Sequence, residues 1–151
     1  MTNTRSFALV YGIVFLAAGI AGFIPGLVQP ISGVPQGSAG METPHMEGVG
    51  LLFGLFPVNA MHNIVHILFG LAGLIAARSL RAGWIYACVV AVIYFILALM
   101  GIASGLQTMF GLVPLWGYDV FLHLVLAAVA LFFAVTGRGK WREAPTVSNA
   151  R

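Results

Sequence analysis

Four long apolar runs, near residues 6–24, 57–77, 83–104 and 116–136, leave this chain few ways to fold. Each is close to the roughly 20 residues that carry a helix across a hydrocarbon core. In lipid every backbone polar group must be bonded within the protein, which selects helices for runs of this kind. The rest of the composition agrees: 60% of the 151 residues are hydrophobic, 7% are charged and the mean hydropathy is +1.00. A soluble domain needs a larger polar fraction to cover its surface. The expectation is an all-α integral membrane four-helix bundle, a single domain over residues 1–151, with the lipid bilayer as its first partner.

The formal charge of +3 raises the question of a nucleic-acid partner, and the positions of the charges exclude one. Arg5 precedes the first run, Arg78 and Arg81 join the second to the third, and Arg138, Lys140, Arg142 and Arg151 follow the fourth. All seven cations therefore fall on one side of a four-span topology. The segments facing the other way, 25–56 and 105–115, hold no Lys or Arg and carry Glu42 and Glu47. The positive-inside rule then predicts a multi-pass protein of the inner (plasma) membrane with both termini cytoplasmic and residues 138–151 as a cytoplasmic tail. The first run follows Arg5 as a signal peptide would, but no small-x-small cleavage site ends it, so it reads as a span.

A single cysteine, Cys88 in the third run, rules out an internal disulfide and reads as a small core hydrophobe. Trp84, Tyr86, Trp116 and Tyr118 stand at span ends, where an interfacial aromatic belt is expected.

The chain repeats itself. An offset of 57 lays GLFPVNAMHNIVH (54–66) over GLVPLWGYDVFLH (111–123), so that His62 meets Asp119 and His66 meets His123. An offset of 79 lays YGIVFLAAGIAGFIPGL (11–27) over VAVIYFILALMGIASGL (90–106), matching Gly22 to Gly101, Gly26 to Gly105 and Leu27 to Leu106. The reading is two parallel helical-hairpin repeats related by an axis along the membrane normal, as in parallel-repeat transporters. The two offsets differ by 22 residues, which places an insertion in the first outer loop, within 28–53, that contains METPHMEG.

Asn59, His62, Asn63, His66, Gly70 and Gly73 follow three- and four-residue steps and share one helix face. On the fourth span Asp119 and His123 are one turn apart. Both spans run inward from the outer side. At 1.5 Å per residue, His62 and His66 lie roughly 6 and 12 Å below their helix start and Asp119 and His123 roughly 3 and 10 Å below theirs. If the two polar faces meet, three imidazoles and a carboxylate converge near the outer face. An i, i+4 histidine pair offers two lone pairs from one helix, with a facing helix supplying the rest. His62, His66, Asp119 and His123 are thus the candidate metal ligands, suited to zinc, copper or iron. Asp119 has a second reading as the group that orients a histidine, and Asn59, after Pro57, reads as a helix N-cap. Another option is b-type haem held between His66 and His123. In the insertion, Met41, Glu42, His45, Met46 and Glu47 form a weaker metal-capturing set, and VGLLFGLF (49–56) reads as a segment lying along the interface.

No glycine loop precedes a lysine in the phosphate-cradling pattern, and no nucleophile elbow is present. A solute or proton pathway would need polar residues through the inner half of the second and fourth spans, which are lacking. The leading functional expectation is a non-catalytic membrane protein binding a transition metal or haem at the His/Asp cluster. Its alternative is an accessory structural subunit of a larger membrane complex, or a homo-oligomer, with the cluster serving as an interhelical hydrogen-bond network.

Residues 50–77, with Gly-Leu-Phe-Pro-Val-Asn, His62-Asn63 and His66, and the later Asp119 to His123 segment, resemble the hallmarks of a family of small bacterial membrane proteins. That family is classed as a domain of unknown function, the 4383 family. The resemblance runs from about Arg5 to about Gly137 and implies a four-span membrane fold with no established activity.

Overall fold

The computed structural model describes residues 3–31, 46 and 48–139. Four helices account for most of them: α1 (Thr4–Ala21), α2 (Ala60–Ala76), α3 (Leu80–Ile102) and α4 (Tyr118–Thr136). Of these, α1, α3 and α4 are long and apolar enough to cross a membrane. The 17 residues of α2 make a rod of about 26 Å, against roughly 30 Å of hydrocarbon. Their outward faces are apolar, as with Val92, Phe95 and Leu131, each more than half exposed.

The all-α expectation needs one correction. A three-stranded antiparallel sheet, β1 (Val28–Pro30), β2 (Gly50–Leu52) and β3 (Phe56–Val58), lies between α1 and α2 in the order β1-β2-β3. It takes up part of the segment read as interfacial and shortens the second helix, which starts at Ala60 rather than at 57. Pro57 lies on an edge strand, where its missing N–H breaks no central ladder. The turn from β2 to β3 passes through Phe53 and Gly54, with φ of 54° and 72°. Asn59 then caps α2, its side-chain oxygen accepting from the His62 amide at 2.8 Å.

Helix α1 packs chiefly on α2 and α3 on α4, with α1 against α3 as the main link between the pairs. Glycine allows the close approach of α1 and α2. A Cβ added to Gly12 would stand 2.8 Å from the Leu74 amide nitrogen and 3.0 Å from the Gly70 carbonyl oxygen. The core between the pairs is built from Phe7, Ala8, Tyr11 and Phe15 of α1 with Ala87, Val90, Ala91 and Tyr94 of α3 and the alanines of α4. Tyr11 donates to the Leu126 carbonyl at 3.1 Å and Tyr86 to the Phe69 carbonyl at 3.0 Å, so each hairpin ties itself to a carbonyl of a neighbouring helix.

The helix ends carrying Arg5, Arg78, Arg81 and Arg138 come together. Thr4 Oγ1 donates to the Leu80 carbonyl at 2.9 Å, Arg5 Nε to Ala77 at 3.0 Å, and Trp84 Nε1 to Ala134 at 2.8 Å. The aromatic-belt expectation is only partly met. Tyr118 is exposed, but Tyr86 and Trp116 are both 6% exposed and belong to the interior. Met41, Glu42, His45 and Glu47 of the insertion, and Lys140, Arg142 and Arg151 of the tail, lie outside the described residues.

Candidate metal centre

His62 and His66 occupy the first and second turns below the Asn59 cap, one helical turn apart, with ring centroids separated by 4.5 Å. His123 enters from α4, its ring 6.3 Å from that of His62. One ligand nitrogen from each of the three lies within 4.8 Å of the others. A tetrahedral ion with bonds of about 2.0–2.1 Å holds its nitrogens about 3.4 Å apart, so modest side-chain rotation closes the set around one ion. His62 and His123 are buried and His66 is half-buried.

The cluster is not satisfied from within the protein. Nδ1 of His62, Nδ1 of His123 and Oδ2 of Asp119 are all buried with no hydrogen-bond partner. Asp119 stands 3.4 Å from His123 Nδ1, beyond the roughly 3.2 Å limit of a good N–H···O bond. Buried polar atoms are normally paired, and an unpaired one is costly. Asp119, 2% exposed, lies behind His123 on its Nδ1 edge and does not join the three imidazoles.

Asn63 turns away from the imidazoles toward α1. Its amide fills the space beside Gly22, where any Cβ would collide with it, and its Oδ1 is also without a partner.

The imidazoles line a cavity of about 260 Å³ whose remaining walls are apolar: Phe69, Ile93, Tyr94 and Leu97 from the helices, with Met109, Val113 and Leu115 from the segment that joins α3 to α4. Phe15 stacks on His66 at 5.6 Å and Tyr94 meets His123 edge-on at 5.0 Å. These two rings and Met109 escaped the sequence reading, since aromatics and methionine in apolar runs carry no signal of their own. The offset of 79 did hold a pointer, for it lays Phe15 over Tyr94. The α3–α4 segment is tied to the start of α2 by Asn59 Nδ2, which donates to the Leu112 carbonyl at 2.9 Å.

An apolar-faced helical bundle with a largely buried group of three imidazoles at the end opposite its described arginines is a membrane-type protein with a built polar site. The chain belongs to the family described as Domain of unknown function (DUF4383), whose model matches residues 5–136. No curated protein and no solved structure matches it.

Proposed function

We infer that this is a non-catalytic integral membrane protein that binds one transition-metal ion through His62, His66 and His123. The observation that carries the reading is the approach of three ligand nitrogens from two helices to within 4.8 Å of one another. In this reading Asp119 positions His123: it faces Nδ1 and so leaves Nε2 as the ligand atom. A bare ion suits the cavity better than haem, because 260 Å³ is below the roughly 300–1,000 Å³ of pockets that enclose larger ligands. The alternative of a purely structural hydrogen-bond network requires partnered atoms, and Nδ1 of His62 and Nδ1 of His123 are buried without a hydrogen-bond partner.

The protein crosses the membrane four times, with both termini cytoplasmic and the site near the outer face. The gathering of the described arginines at the opposite end supports that orientation. The two hairpins are repeats. In support, Phe53 and Gly54 have positive φ and so do Phe110 and Gly111, 57 residues on. Pro57 and Pro114 are both fully buried at the same offset. Phe15 stands to His66 as Tyr94 stands to His123, which obeys both offsets at once. The site then lies at the seam of the halves and breaks their symmetry, one supplying His62 where the other supplies Asp119.

Elemental analysis and an absorption spectrum of the detergent-purified full-length protein test the reading. One metal ion per chain, lost in His66→Ala and in His123→Ala, is the expected result. A folded, colourless, metal-free protein after exposure to zinc and copper overturns it.

A further inference from the structure

The cavity around the triad has a chemistry that the histidines alone do not specify. Met109 lines it together with the three imidazoles, and Met61, 44% exposed, contributes to both the cavity wall and the surface. Met109 adopts φ of 45°, an uncommon left-handed conformation that it shares with Phe110 in the same turn. The remaining wall is aliphatic and aromatic. Charge is equally sparse: Asp119 is the only acidic residue among the described residues, and the described arginines lie at the far end of the bundle. A divalent ion on three neutral imidazoles would leave a net positive charge in an apolar surround even after Asp119 is counted. A monovalent ion beside an ionised Asp119 would leave none, and uncompensated buried charge is strongly disfavoured. Thioether with imidazole, in an otherwise apolar pocket with a single carboxyl group beside it, is a donor set suited to a soft monovalent metal.

We propose that the site takes copper(I), held by His62, His66, His123 and the Met109 thioether, with the Asp119 carboxylate as counter-charge. Met61, partly exposed, is a second thioether-bearing residue on the cavity wall. The proposal rests on the metal-binding reading above and narrows it to one ion.

The full-length protein in detergent is titrated separately with copper(I), under reductant and against a chromophoric copper(I) chelator, and with zinc(II). X-ray absorption is recorded on the copper-loaded sample. The expected results are one copper(I) per chain, a sulfur scatterer in its coordination shell, and copper(I) affinity at least tenfold weaker in Met109→Leu while zinc(II) affinity changes less than twofold. A copper shell of nitrogen and oxygen only, tighter zinc(II) than copper(I), or equal losses for both metals in Met109→Leu overturns the copper assignment and leaves a metal site standing. Binding of neither ion overturns both. The wild-type sulfur shell decides the matter even if Met109→Leu does not fold.

Discussion

Phe15 and Tyr94 stack at the centre of the bundle, their ring centroids 5.1 Å apart and their planes 15° from parallel, and each touches one histidine of the triad. The pair joins α1 to α3 and fixes the distance between the two hairpins at the depth of the site. Both rings are 1% exposed, so removal of either leaves a cavity. Tyr94→Ala is expected to cost about 3–5 kcal/mol, the usual range for deleting a buried ring. Tyr94→Phe keeps the stack and should cost far less. Thermal unfolding of the detergent-purified variants measures both, and metal content should fall with Tyr94→Ala and survive in Tyr94→Phe.

Asp119→Asn preserves size and removes the charge behind His123. Loss of a group that orients a histidine ligand typically weakens metal binding roughly 10–100-fold. Competition titration against a chelator should show a decrease in that range, with helix content by circular dichroism unchanged. An effect below twofold would remove Asp119 from the site.

Acid should empty the site. Protons compete with the metal for the imidazole lone pairs, so affinity falls as pH falls, and free imidazole takes up a proton near pH 6.5. Protein loaded at neutral pH and dialysed at about pH 5 should lose most of its metal, as read by elemental analysis. Retention would argue against histidine ligation.

The α1–α2 contact tolerates no side chain at Gly12, where a Cβ meets backbone atoms of the facing helix that cannot swing aside. Gly12→Val should destabilise the protein by about 1–3 kcal/mol, the usual cost of overpacking. Thermal unfolding reads the loss directly. Gly26→Ala, with nothing near its Cβ position, is the matched control and should be close to neutral.

Orientation is tested with single cysteines in a Cys88→Ala background. Gly111→Cys lies in the α3–α4 segment and Gly139→Cys beyond the end of α4. A membrane-impermeant thiol reagent applied to intact cells should label the first and not the second. The opposite pattern would invert the topology.

The four helices, the end at which the cations gather and the cap at Asn59 were legible in the sequence because each depends on local properties: run length, charge position, and a short polar side chain after a proline. Membership of the family was legible for the same reason, as a run of particular residues. His62, His66 and His123 were placed on inward faces by helical spacing alone. The sheet was not legible. Its strands have three residues each, too few for an alternating pattern, and β1 pairs with β2 across about 20 residues of intervening chain. Nor was the exclusion of Asp119 from the imidazole triad, because spacing sets a residue's helix face and depth but not the crossing of α2 and α4. That relation runs through the other two helices, by the α1–α2 contact at Gly12 and Gly70, the Phe15–Tyr94 stack of α1 on α3 and the packing of α3 on α4. Local spacing in the sequence settled the helices and the shared face of His62, Asn63 and His66. Tertiary packing decided which of them meet, which are left without partners, and that Met109 shares their cavity.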